Sequence, residues 1–275
     1  MIQRTVSGIV LVAVIVGLVL AGPLWWGIGL GVMSIIGGYE FSSAMKKGGF
    51  SPLVPVALGA SAVYYVLILV FPEEMWAGGC MLFVGLVTVI TAFITVLKYP
   101  KYKAADSALT VLGFFYVAVL FSFLYFLRRE PDGSVFMGYV FLAAWGCDTF
   151  AYLAGRAFGK KKLVPELSPK KTVAGAIGGI IGSIVLCLVF TLVVRSGVGM
   201  SSARLYTVSV LSGLSGALFS QFGDLFASAM KRNVGVKDYG RLIPGHGGIL
   251  DRFDSILLVT PVVSAVVWLA ERLIP

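Results

Sequence analysis

The sequence predicts an all-α polytopic membrane protein with about nine transmembrane helices, the N-terminus cytoplasmic and the C-terminus on the opposite side. Three observations carry this. Hydrophobic residues make up 58% of the 275 and charged residues only 13%, against roughly 25% charged in a soluble domain. The mean hydropathy is +0.95. Apolar runs approaching the ~20 residues of a bilayer span recur along the whole length.

In chain order the apolar segments are 5–22, 23–43, 52–71, 75–97, 106–127, 135–157, 173–194, 204–230 and 255–273. The first follows Arg4, as a signal peptide would. However, TVSGIVLVAVIVGLVLAG runs straight into PLWWGIGLGVMSIIGGYE without a polar mature domain, so it reads as a retained helix. Only Gly22-Pro23 separates the first two segments, which suits a tight hairpin. The sequence divides into N-terminal helices (1–103), middle helices ending in a basic loop (104–172) and C-terminal helices interrupted by a polar block (173–275), all within one integral membrane unit. No internal repeat and no low-complexity tract is visible.

The distribution of Lys and Arg supports the count. With the N-terminus cytoplasmic, that side carries Arg4; Lys46 and Lys47; Lys98, Lys101 and Lys103; Arg156, Lys160, Lys161, Lys162, Lys170 and Lys171; and Lys231, Arg232, Lys237, Arg241 and Arg252. These are 17 of the 22 basic residues; Arg128, Arg129, Arg195, Arg204 and Arg272 are left for the other face. Such a bias is the positive-inside pattern, and one helix more or fewer would scramble it. The net charge of +9 is therefore a topology signal and does not imply nucleic acid. Cys80, Cys147 and Cys187 are scattered through apolar runs without a CxxC pair, which supports core packing over a zinc site or disulfides.

Ionisable groups inside spans are costly and usually functional. Glu40, Asp148 and Asp224 each stand six to eight residues before a basic loop residue (Lys46, Arg156 and Lys231). At about 1.5 Å per residue all three lie roughly 9–12 Å below the basic rim. Equal depth on three helices points to one polar cavity; the alternative is that each acid separately satisfies a helix contact. Ser220, Asp224, Ser228 and Lys231 share one helical face, as do Asp148, Tyr152 and Arg156. Asp251 and Asp254 are three apart, and carboxylates suit a helix N-terminus. Several carboxylates around one cavity suit a hard divalent cation such as Mg²⁺.

Phosphate-binding features lie beside the acids. The block KRNVGVKDYGRLIPGHGGILDRFD, 231–254, holds eight charged residues, five Gly and the single His of the chain. In Pro244-Gly245-His246-Gly247-Gly248 the backbone can approach an anion closely, although a plain turn would use the same residues. In the second basic loop, Ser168-Pro169-Lys170-Lys171-Thr172 stands just before the seventh segment, where hydroxyls and N–H groups at a helix start accept an anion. A solvated topology loop is the other reading. Gly175, Gly178, Gly179 and Gly182 form two GxxxG spacings, for packing within the chain or between two copies.

Ser228-Ala-Met-Lys231-Arg232, Lys237-Asp238 and Pro244-Gly-His246-Gly247-Gly248-Ile-Leu-Asp251-Arg252-Phe-Asp254 together closely resemble the signature of the phosphatidate cytidylyltransferases. The resemblance extends to Phe222-Gly223-Asp224, to Trp145, Asp148 and Phe150-Ala151-Tyr152, to Ser168–Thr172 and to Gly37-Tyr39-Glu40. It is weakest in the first four segments. It implies a helical membrane enzyme, homodimeric and in the inner, cytoplasmic membrane, that uses CTP and phosphatidic acid to make CDP-diacylglycerol and pyrophosphate. It also implies Mg²⁺, with a second, monovalent ion such as K⁺, held by Asp224, Asp251 and Asp254. Lys231, Arg232, Lys237 and Arg252 would clamp phosphates, and His246 would assist the leaving pyrophosphate. Ser168, Lys170, Lys171, Thr172, Asp148, Ser228, Asp238, Gly247 and Gly248 would line the substrates. Two other readings are a CTP-dependent lipid alcohol kinase, which the long signature disfavours, and a transporter, which would favour acids near the midplane in repeated halves.

Overall fold

The computed structural model describes residues 2–274, leaving aside the side chains of residues 2–5 and of Ala77. The Arg4 side chain of the charge count therefore lies outside the described residues. Helices occupy each of the nine apolar segments: α1 (Ile2–Leu20), α2 (Pro23–Lys47), α3 (Val54–Val70), α4 (Trp76–Leu97), α5 (Ala104–Gly113) continuing into α6 (Leu120–Arg129), α7 (Gly133–Phe141) continuing into α8 (Cys147–Phe158), α9 (Val173–Val194), α10 (Ser202–Asn233) and α11 (Leu250–Leu273).

Five of these rods are long and apolar enough to cross a membrane: α4 from Gly78, α5–α6, α7–α8, α9 and α11. Those parts of α1 and α3 that are apolar are shorter, at Val6–Leu20 and Val54–Val70. α2 and α10 are long, but Gly, Ser and charged residues dilute their apolar character. The protein is thus an all-α membrane protein with at least these five span-length helices among the described residues. Only 11% of the most apolar window of α4 is buried. Its outward Met81, Leu82, Val89, Phe93 and Val96 suit a hydrocarbon surrounding.

The chain forms two compact units, Met1–Tyr125 with Lys231–Arg252, and Phe126–Met230 with Phe253–Pro275. In the first, α2 packs on α3 around fully buried Trp26, Leu30, Tyr64 and Phe114. Trp26 donates its indole N–H to the Leu124 carbonyl at 3.2 Å, and the Tyr64 hydroxyl meets Ser122 at 2.9 Å. These two buried polar groups thus find partners. In the second, α8 packs along α9, over a core that includes Phe136, Tyr139, Cys187 and Leu205.

The glycines of α9 explain the α8–α9 packing. A Cβ on Gly175 would meet the Ala151 carbonyl oxygen at 2.7 Å, and one on Gly179 the Cys147 sulfur at 2.8 Å; on Gly178 and Gly182 it would run into Ala154 and Phe150. The two GxxxG spacings therefore serve close packing within the chain.

Two π-helical turns, Phe114–Val119 and Leu142–Gly146, interrupt the rods. A π turn widens the helix and disturbs its regular hydrogen bonds. Ser183 donates to the Ala143 carbonyl at 2.9 Å, and Ser220 to that of Ala144 at 3.4 Å. The second turn ends two residues before Asp148. The second basic loop contains a small antiparallel hairpin of β1 (Lys162–Val164) and β2 (Ser168–Thr172), strands that the all-α expectation did not include. Cys80, Cys147 and Cys187 are thiols outside any disulfide, the last two buried.

Candidate active site

Two polar clusters hold most of the residues singled out in the sequence, one in each unit. In the second unit a cavity of about 380 Å³ is lined by α8, the hairpin, the start of α9 and Gln221 of α10. Asp148, Tyr152 and Arg156 face it at i, i+4 and i+8, the expected stripe. Lys162, Lys170 and Lys171 come from the hairpin. The Lys171 ammonium lies 2.6 Å from Asp224 Oδ2, both side chains partly exposed. Thr172 is the N-cap of α9, accepting from the Gly175 N–H at 3.1 Å. The expected helix-start motif thus forms, with the Thr172 hydroxyl engaged in capping.

Glycine lets these elements meet. A Cβ on Gly155 or Gly159 would press on the Thr172 hydroxyl at 2.9 and 2.7 Å. Gln221 was missed in the sequence; it stands three residues before Asp224, hence on the same helical face, and donates to the Ala176 carbonyl at 3.1 Å. Ser168 lies half-buried at the start of β2, and Ser228 half-buried near the end of α10. Asp254 is buried, its Oδ1 accepting from the Ser255 N–H at 2.8 Å. There α10 approaches α11 closely, since a Cβ on Gly223 would meet the Asp254 carbonyl oxygen at 2.9 Å.

The first unit holds the polar block. Asp251 is buried; its Oδ1 meets Lys231 Nζ at 2.9 Å, and its Oδ2 accepts from Tyr239, Gly240 and Gly248 N–H at 2.9, 3.3 and 3.0 Å. Lys231 also sits 5.1 Å from the Tyr239 ring centroid, a cation–π distance. Lys231 is therefore a buried framework cation, and Gly248 gives its N–H to a carboxylate of the chain. Glu40, from α2, accepts from Ile249 and Leu250 N–H at 3.1 and 2.9 Å. Of the two readings of Glu40, the satisfied helix contact is the one realised, at the start of α11.

The glycine loop is a tight turn. Ile243 N–H donates to the Gly247 carbonyl at 2.7 Å and His246 N–H to the Ile243 carbonyl at 2.9 Å. Gly245 and Gly247 adopt φ of +75° and +89°, a region that glycine occupies without strain. His246 Nδ1 is 2.8 Å from the Ser7 hydroxyl, which also reaches the Pro244 carbonyl at 3.2 Å. Arg232 donates to the Val236 carbonyl at 2.9 Å. Lys237 and Asp238 are exposed, and the half-exposed Arg252 has a buried Nε with no hydrogen-bond acceptor among the described residues.

Among the described residues, no group of three or more His, Cys, Asp or Glu is gathered as a metal site. The donors fit a hard cation unequally. Asp224 offers a partly exposed carboxylate beside a cavity, and oxygen ligands of that kind suit Mg²⁺. In this arrangement the Asp251 carboxylate does not fit the role, because one lysine and three N–H groups already take both oxygens.

Comparison with known proteins bears on this arrangement. Residues 2–270 match the model of the cytidylyltransferase family. A phosphatidate cytidylyltransferase of Staphylococcus aureus (strain COL) is 34% identical over 267 residues, 95% of this chain and 96% of that protein. Those of Staphylococcus haemolyticus and Staphylococcus saprophyticus are 38% identical over 170 residues and 34% over 203. The chain spans 62% of the length of the first and 75% of the second.

Proposed function

The chain belongs to the cytidylyltransferase family, and from that premise we propose that it transfers CMP from CTP to phosphatidic acid, releasing pyrophosphate and forming CDP-diacylglycerol. The observation that carries the proposal is the cavity of the second unit. It combines four basic side chains, Arg156, Lys162, Lys170 and Lys171, with Asp148 and sits beside Asp224. That composition suits a polyanion better than an apolar ligand.

In the proposed reaction an oxygen of the lipid phosphate attacks the α-phosphorus of CTP in line. A new P–O bond forms, the bond from the α-phosphorus to the bridging oxygen breaks, and that oxygen leaves with pyrophosphate. The nucleophile is already an anion, so no strong base is required. The barrier lies in bringing two polyanions together and stabilising the charge in transfer. Lys170, Lys171, Lys162 and Arg156 would supply this in the cavity. Ser168 and Ser228 would add hydroxyl donors, and Lys237, Arg232 and Arg252 cations from the polar block. The framework residues Lys231, Asp251, Gly247 and Gly248 would hold that block in shape.

We further propose that Mg²⁺, with a monovalent ion such as K⁺, serves the reaction, with Asp224 its best-placed ligand and Asp254 a second. A bound divalent ion would neutralise phosphate charge. The protein would act as a homodimer in the inner membrane, spanning it nine times with both basic loops on the cytoplasmic face where CTP is available; the skewed distribution of Lys and Arg supports that span count and orientation.

The test is incubation of the purified protein with radiolabelled CTP and either phosphatidic acid or diacylglycerol. Labelled CDP-lipid with pyrophosphate release is the expected result. Phosphorylated alcohol with CDP would establish a lipid kinase instead.

A further inference from the structure

We propose that Glu40 is a positioning residue for the polar block, and that turnover depends on its carboxylate although it touches no substrate. The inference rests on the activity proposed above and on three features of the first unit.

Glu40 lies inside α2 and is 6% exposed. A carboxylate so buried is tolerated when donors surround it. Those it finds are the Ile249 and Leu250 N–H groups, at the point where α11 begins, 209 and 210 residues away in sequence. These belong to the N–H groups that a helix start leaves without intrahelical partners, and the positive end of the helix dipole adds to the attraction.

The block also closes tightly around this carboxylate. A Cβ on either Gly240 or Gly248 would run into the Glu40 carboxyl group. The block backbone thus lies in contact with Glu40 at two places besides its two hydrogen bonds.

Finally, Glu40 and Asp251 act as a pair. Asp251 takes Tyr239, Gly240 and Gly248 N–H, while Glu40 takes Ile249 and Leu250 N–H. Two carboxylates therefore bind five amides between 239 and 250. Asp251 follows directly after the two amides that Glu40 holds, so Glu40 fixes where Asp251 stands.

The test compares the wild type, Glu40→Gln and Gly248→Ala as purified, detergent-solubilised proteins. CDP-lipid formation, thermal unfolding and hydrogen–deuterium exchange are measured on each. Gln keeps the size of Glu but turns an NH₂ group toward one of the two amides. The expected result for both variants is a fall in kcat of about tenfold or more, equivalent to ~1.4 kcal/mol in the barrier. Exchange should rise in peptides covering 239–252 and stay unchanged in those from α3, α4 and α9.

A Glu40→Gln protein that turns over like the wild type overturns the proposal. So does activity lost with exchange rising across all helices, which would make Glu40 a general fold residue. If the wild type itself forms no CDP-lipid, the proposed activity fails. Exchange at 239–252 then still decides whether Glu40 holds the block: a local rise upholds that role, and no rise overturns it.

Discussion

Lys231 and Asp251 form a buried ion pair, Nζ to Oδ1 2.9 Å, with side chains 9% and 2% exposed. One partner ends α10 and the other begins α11, so the pair ties together the two ends of the polar block. Asp251 also holds three backbone N–H groups, which makes it an organiser of the chain around it.

Removing either partner leaves a buried charge without compensation, typically at a cost of 3–5 kcal/mol, so we expect Lys231→Met and Asp251→Asn each to lose about that much stability. The double variant should lose clearly less than the sum, because the two residues are coupled. Thermal unfolding in detergent measures this. Additive losses would show that the pair does not act as a unit.

The Lys171–Asp224 contact should behave differently. Its side chains are 23% and 34% exposed, and exposed pairs contribute only ~0–1 kcal/mol. Asp224→Asn is therefore expected to unfold within a few degrees of the wild type. CDP-lipid formation should nevertheless fall on the order of 10²-fold or more, the scale seen when a charge-stabilising group is lost from an active site. Near-normal turnover would remove Asp224 from the proposed chemistry.

The α8–α9 contact gives a prediction about stability alone. Gly178→Val places two methyl groups where Ala154 stands, whereas nothing lies within 4 Å of a Cβ on Gly197. Overpacking costs typically 1–3 kcal/mol, so Gly178→Val should lower the unfolding temperature and Gly197→Ala should leave it near the wild type. Equal stability of the two would mean that close packing on Gly178 is not required.

How much of this was legible in the sequence varied with the physics involved. Apolar run length placed helices at all nine segments, because desolvated backbone has few alternatives to a helix. Helical phase also placed Asp148, Tyr152 and Arg156 on one cavity face. Depth arithmetic did less well for Glu40, because it measures height along a helix and not the direction of the side chain. Residue spacing assigns Glu40 the same height as Asp148 and Asp224, whereas its carboxylate meets the start of α11. The buried state of Lys231 was hidden for a related reason: a lysine beside a basic loop has the composition of a solvated cation until its partner 20 residues on is known. The contact of Ser7 with His246 left no local signal, since it joins residues 239 apart.

That contact bears on the task of His246. The Ser7 hydroxyl has one hydrogen, and within its reach lie the Pro244 carbonyl at 3.2 Å and His246 Nδ1 at 2.8 Å. If the hydrogen goes to Pro244, Nδ1 must carry a proton and donate to Ser7; Nε2 is then bare in the neutral ring and donates only from the imidazolium. If it goes to Nδ1, the neutral ring carries its proton on Nε2. Side-chain mimics separate a structural His246 from a reactive one. The amide nitrogen of Asn stands close to where Nδ1 is, and that of Gln close to Nε2. If His246 only secures the turn, His246→Asn should retain most activity and His246→Gln should lose it. If Nε2 donates to the departing pyrophosphate, His246→Gln should be the better of the two, with a drop on the order of 10²-fold for His246→Asn. Ser7→Ala completes the set. It should lower kcat in the second case, and Ser7→Thr, which keeps the hydroxyl, should restore it. Wild-type kinetics in Ser7→Ala would show that α1 has no part in setting the state of His246.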